Sequence, residues 1–284
     1  MKKLILLLFI PLVFTCSSDS SDDETNPVDD TNPVYLDANG VTVKARDWAV
    51  VGESGVINGI TYTIVNRETL VNMIANQEDL TRICTSRIVN MNSLFQNKSI
   101  NQSINHWDTS NVTQMTAMFR QSNFNGDVSS WDVSSVTHMD RMFYRAIAFN
   151  QPLNDWDVSN VTNMSGLFNR NLVFNQPLNN WDVSSVLHAD EMFGGAVSFN
   201  QDISNWNVSN VTSMSYMFWN DYYNWGNTTE MTFNQDLSSW DVSSVTFCYT
   251  FSCVLTEGGV WGGQLESWTL PKPNFSNCDL SCDP

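Results

Sequence analysis

Between residues 88 and 252 apolar side chains return at fixed offsets from six tryptophans: Trp107, Trp131, Trp156, Trp181, Trp206 and Trp240. Seven residues before each stands Ile100, Phe124, Phe149, Phe174, Phe199 or Phe233. Three before it stands Ile104, Val128, Leu153, Leu178, Ile203 or Leu237, and five after it a valine (Val112, Val136, Val161, Val186, Val211, Val245). The stretch from the aliphatic residue through W-D-V is rich in strand formers and predicts one short parallel strand per repeat near it. An M-x-x-M-F block follows: Met115, Met118 and Phe119; Met139, Met142 and Phe143; Met164, Leu167 and Phe168. Met192 and Met217 continue it, with Ala189 filling one slot. Spacings of i, i+3 and i+4 share one side of a helical turn, so this block predicts a short helix or 3₁₀ segment facing the core. Ser110–Asn111 and Ser159–Asn160 stand where caps for it belong.

Residues 149–168 (FNQPLNDWDVSNVTNMSGLF) and 174–193 (FNQPLNNWDVSSVLHADEMF) agree at 12 of 20 positions, and the tryptophans are 24, 25, 25, 25 and 34 residues apart. A fixed period of this size predicts a solenoid in which each coil buries its apolar side against its neighbours. The repeated string F-N-Q-x-L-x-x-W-D-V-S-N-V-T-x-M-x-x-M-F resembles that of the BspA-like leucine-rich-repeat surface proteins of bacteria. The likeness covers residues 88–252 and opens on a half-copy, IVNMNSLF, at 88–95. It implies a leucine-rich-repeat-like α/β solenoid on the cell surface, with adhesion or host-protein binding for some members. It carries no enzymatic activity and no defined ligand.

The flanks have their own patterns. In residues 35–87, expected to form an N-terminal cap, Asn58-Gly59 between strand-forming runs signals a hairpin, and Leu70, Met73 and Ile74 mark an amphipathic helix from near Asn66. Residues 253–284 break the period, carry Trp261 and Trp268, and form the expected C-terminal cap. At the other end Lys2 and Lys3 precede an apolar run from Leu4 to Phe14, too short to span a bilayer, so residues 1–15 have the pattern of a secretory signal peptide. VFTC, ending at Cys16, resembles a bacterial lipobox, which implies Cys16 as a lipid anchor, although Phe14 and Thr15 are bulkier than usual there. Residues 16–34 then form an acidic, disordered tether. Its acidic run resembles the surface-export signal of Bacteroidetes lipoproteins, implying an outer-membrane protein facing outward; a plain solvated linker is the alternative.

The chain carries 13 basic and 30 acidic residues, a net charge of −17. Without residues 1–15, which hold two lysines and no acid, 11 basic residues remain and the net is −19. Averaged over the surface, that charge would repel nucleic-acid phosphates and anionic headgroups, so neither is expected as a partner. Cys84, Cys248, Cys253, Cys278 and Cys282, in an exported chain, suit disulfides better than metal. Pairing stays open.

Candidate chemistry is sparse. The column Asp108, Asp132, Asp157, Asp182, Asn207 and Asp241 either accepts backbone N–H bonds at turns or holds calcium between coils. The asparagine following each leading apolar residue, as at 125, 150, 175 and 200, is expected to bond the backbone of the adjoining coil, and the tryptophans to be buried. His138 and His188 share a drifting, exposed slot two coils apart. No HExxH, phosphate loop or nucleophile elbow occurs. No catalytic residue, metal or cofactor is expected, and the chain reads as a non-enzyme. The one break in the rule is an insertion: 15 residues separate Phe218 from Phe233, where six separate Phe193 from Phe199. Its string WNDYYNWGNTTE supplies the candidate ligand-binding residues Trp219, Tyr222, Tyr223 and Trp225, unless these rings fold back over neighbouring coils. Three functions follow: adhesion or protein binding through a solenoid face, glycan capture through the 219–225 loop, or a passive surface spacer.

Overall fold

The computed structural model describes residues 31–221, 230–255 and 261–277. The chain enters through β1 (Val34–Leu36) and β2 (Val43–Ala45), an antiparallel pair, and then β3 (Ser54–Ile57) and β4 (Ile60–Ile64). The turn between β3 and β4 places Asn58 and Gly59 at φ 51° and 79°, the left-handed pair a tight hairpin demands. Asn66 then caps α1 (Arg67–Ala75), accepting the Thr69 N–H at 2.9 Å, and Leu70 is the residue of α1 that is fully buried. β5 (Ile83–Cys84) pairs parallel with β4. Among the described residues α1 is the only α-helix.

From residue 88 onward each repeat lies beside the next in a constant register. Single-residue parallel bridges join Asn90, Gln114, His138, Asn163, His188, Ser213 and Phe247 in that order. The pairing therefore falls seven residues after each tryptophan and not at W-D-V, where the strand was expected. At W-D-V the backbone is occupied by tight turns: Trp131 N–H donates to the Val128 carbonyl and Val136 N–H to that of Val133.

The M-x-x-M-F block departs further from expectation, for it is not helical. Met115, Ala117, Phe119 and Gln121 donate their N–H groups across to the carbonyls of His138, Asp140, Met142 and Tyr144 at 2.7–2.9 Å. The alternate donors, Met118, Arg120 and Ser122, reach back three residues to Met115, Ala117 and Phe119. A helix needs every N–H for its own i−4 carbonyl and a negative φ throughout. Here half the donors leave for the neighbouring repeat, and Ala117 and Gln121 sit at φ 55° and 56°. Met115, Met118 and Phe119 are nonetheless fully buried, so the i, i+3, i+4 spacing marked the buried positions and misassigned the backbone.

The core is a set of columns running from repeat to repeat. Phe95, Phe119, Phe143, Phe168, Phe193 and Phe218 stack at 5.5–5.8 Å between centroids. Phe124, Phe149, Phe174, Phe199 and Phe233 form a second column at 5.9–6.3 Å. The tryptophans, all buried, form a third: Trp107 with Trp131, Trp131 with Trp156, Trp181 with Trp206 and Trp206 with Trp240 lie 6.3–6.5 Å apart and within 6° of parallel. Each indole Nε1 donates to the carbonyl of the preceding repeat's aliphatic residue, as Trp156 to Val128 and Trp181 to Leu153. A buried indole N–H without an acceptor would be costly, which fixes one orientation per ring.

The long final spacing keeps this register. Met214, Tyr216 and Phe218 donate to Phe247, Tyr249 and Phe251 as in every earlier pair, and the extra length is taken up between Phe218 and Phe233. β6 (Asn220–Asp221) pairs with β7 (Cys253–Leu255), which pairs with β8 (Trp261–Gln264). Trp268 meets Phe218 and Phe233 edge-on at 5.2 and 4.9 Å, ending the stacked columns. Cys248 and Cys253 are each engaged in a disulfide, whereas Cys84 is a free, buried thiol whose pKa burial raises.

Candidate functional site

Most of the recurring polar positions are occupied in holding repeats together. Asn125 Oδ1 accepts the Asn150 N–H, Asn150 that of Asn175, Asn175 that of Asn200 and Asn200 that of Asn234, all at 2.8–3.0 Å. The following glutamine reaches back to the same asparagine's backbone and side-chain oxygens, as Gln201 does to Asn175. At the end of the series Asn234 accepts from the N–H groups of Thr269 and Leu270. This column is structural, as its invariance along the chain suggests.

The aspartate column closes turns. Asp132 and Asp157 Oδ1 each accept both the N–H and the hydroxyl of the serine two residues on, and Asn207 does the same with Ser209. Asp108 is buried, accepting from Ser110 and from the Ser86 hydroxyl. At Asp182 and Asp241 the serine hydroxyl, then its N–H, holds the carboxyl below its ordinary pKa. A groove of about 360 Å³ does run past Asp155, Asp157 and Asp182. Asp157 and Asp182 each spend Oδ1 on their own turn. Among the described residues no group of three or more His, Cys, Asp or Glu side chains could hold a metal ion.

His138 is half-buried and His188 exposed; both lie on the bridge column, where the backbone is paired and the side chain is free to differ. In that column Phe247 is 65% exposed.

Of the insertion residues singled out from sequence, Tyr222, Tyr223 and Trp225 lie outside the described residues, as does Cys16. Trp219 is half-buried. Its indole lies where a Cβ on Gly194 would stand, 2.1 Å from Nε1, so only glycine in the preceding repeat admits the ring. The Arg170 guanidinium sits over the same ring at 5.2 Å, and Tyr216 meets it edge-on at 6.2 Å.

That contact leads to residues the sequence reading passed over. Arg120, Arg141, Arg145 and Arg170 are the only lysines or arginines between Lys98 and Lys272, and all fall 10 to 14 residues after a tryptophan. Arg120 and Arg145 both face the Tyr144 ring, at 5.1 and 5.8 Å. Arg141 lies over Gly166, and Arg170 over Gly195, each arginine's Cγ 3.1 Å from where a Cβ would be. The signal was available: charge tabulated by repeat slot, in place of net charge, isolates this strip.

Side-by-side repeats with stacked aromatic columns and a polar ladder define a repeat protein whose recurring residues serve its architecture. The family described as "Mycoplasma protein of unknown function, DUF285" matches residues 66–170, 152–246 and 227–272, and the chain belongs to that family. No curated protein and no solved structure matches it.

Proposed function

We propose that this chain is a leucine-rich-repeat-like solenoid of the BspA-like type, displayed on the cell surface, that binds an extracellular protein without catalysing a reaction. In this reading residues 1–15 direct export, Cys16 carries the lipid anchor, the residues between it and the start of β1 at Val34 supply the tether and the repeats are the display surface. The observation that carries it is the division of labour within each repeat. Tryptophan, asparagine and the M-x-x-M-F residues hold neighbours together and aspartate closes turns, while the bridge column changes from Gln114 to His138, Asn163, His188 and Phe247, with Ser213 the buried exception. A framework that fixes the backbone and leaves surface side chains free to vary suits recognition by an extended face.

Glycan capture by the 219–225 insertion is the second reading, favoured by its four aromatic rings and by the arginine beside Trp219. Purified residues 35–284 probed against an array of extracellular-matrix proteins and glycans decide between them. A variant with Trp219, Tyr222, Tyr223 and Trp225 changed to Ala, its fold checked by circular dichroism, runs alongside. A protein ligand retained by the variant supports the repeat face. A glycan ligand lost by it moves the function to the insertion, and silence from both arrays leaves a passive spacer.

A further inference from the structure

Within the strip, Arg120 and Arg141 have no architectural duty comparable to that of the other columns. Neither Arg120 nor Arg141 makes an ion pair among the described residues, and Arg120 Nε is buried with no hydrogen-bond partner. Their positions are nevertheless set. Tyr144 holds Arg120 and Arg145 from two successive repeats, and glycines at 166 and 195 let Arg141 and Arg170 lie flat. Guanidinium groups held this way lose little freedom when they engage an anion.

The nearby acids are engaged by neutral donors. Asp140 accepts from the Thr116 hydroxyl, Asp190 from Ser213 and from the Ser215 N–H, and Glu191 from the Asn169 amide. Lys98 is the one other lysine or arginine in residues 88–252, so this is the one cationic line of the repeats on an otherwise anionic chain. It is narrow, with one or two arginines on each of three consecutive repeats.

We propose that this strip binds a linear anionic polysaccharide, a chain bearing sulfate or carboxylate groups laid across successive repeats. A polymer with recurring charge meets one fixed guanidinium group after another, which a compact ligand would not. The proposal rests on the reading of the chain as a surface binding protein and names a ligand class for it.

The test measures binding of residues 35–284 to dextran sulfate, polygalacturonate, neutral dextran and polyglutamate at low and high salt. Arg141→Gln alone, the quadruple variant R120Q/R141Q/R145Q/R170Q and the off-strip variant Arg82→Gln are compared, with folding followed by circular dichroism. Salt-sensitive binding of a charged polysaccharide is expected. It should weaken at least tenfold in the quadruple variant and measurably in Arg141→Gln, and stay within twofold in Arg82→Gln. Equal binding of neutral dextran overturns the proposal, and so does indifference to the strip variants. Polyglutamate bound as tightly as the polysaccharides overturns the assignment to sugar and points to an acidic protein. If no polyanion binds but the array yields a strip-independent ligand, the proposal falls and the binding function stands; silence in both removes both.

Discussion

Asn175 shows what a single residue contributes: its Oδ1 accepts the Asn200 N–H and the Gln201 amide, and its own N–H donates to Asn150. Asn175→Ala removes the acceptor and should cost about 1–2 kcal/mol. Asn175→Asp keeps an oxygen there and should cost less, an order that urea midpoints can check. Phe168 is fully buried between Phe143 and Phe193, so Phe168→Ala should cost about 3–5 kcal/mol in the same assay. Titration acts in two windows. Burial holds the His106 imidazole, beside the Ile83 carbonyl, below its usual 6.5. The unfolded chain therefore takes up that proton more readily, and stability present above pH 6.5 is lost as the pH falls below it. Asp182, Asp202, Asp236 and Asp241 are likewise lowered from 3.8, so their contribution is present above that value and lost below it. Unfolding midpoints from pH 8 to 3 should fall in both windows, and His106→Gln should abolish the first. At this scale the sequence was informative: an asparagine that never changes along one chain, and a tryptophan with a fixed neighbour three residues back, both turned out to be partners of the adjoining repeat.

The elements were harder to read. The spacing of Met115, Met118 and Phe119 fits a helical turn, and it fits equally a run of tight turns that buries the same side chains. What separates the two is the destination of the backbone N–H groups, and that depends on a neighbouring repeat 24 or 25 residues away. The left-handed positions give a partial clue, since Gly166 and Gly195 occupy slots that hold Arg141 and Arg170 one repeat earlier, at φ 54° in both. Glycine enters that conformation without steric cost. Gln121, exposed at φ 56°, should therefore gain about 0.5–1 kcal/mol on change to Gly. Gly195→Ala should lose at least about 1 kcal/mol, because its Cβ also crowds Arg170. Equilibrium denaturation measures both. The hairpin at Asn58-Gly59 and the helix cap at Asn66 were legible because their chemistry is local.

For the whole molecule, stability should build up repeat by repeat, since each repeat bonds to its immediate neighbours. Excising residues 150–174 joins Phe149 to Asn175 and hands Asn175 to the acceptor on Asn125. The shortened chain should fold with a lower urea midpoint, whereas failure to fold would show coupling beyond nearest neighbours. Chelation by EDTA should leave the melting temperature unchanged, because carboxylates of the aspartate column are spent on serine turns. The repeat architecture was legible from the tryptophan spacing alone, but the cationic strip was not, because net charge averages it away. The tryptophan column has one more consequence, an optical one. Indoles held nearly parallel at 6.3–6.5 Å are close enough for their excited states to mix and for energy to hop along the row. Because the rings lie nearly parallel, hopping preserves the direction of the emitting dipole, so the folded protein should show a shifted near-ultraviolet absorption band and strongly polarised emission. Both signals would fade in steps as repeats come apart, giving the chain a built-in gauge of how many remain joined.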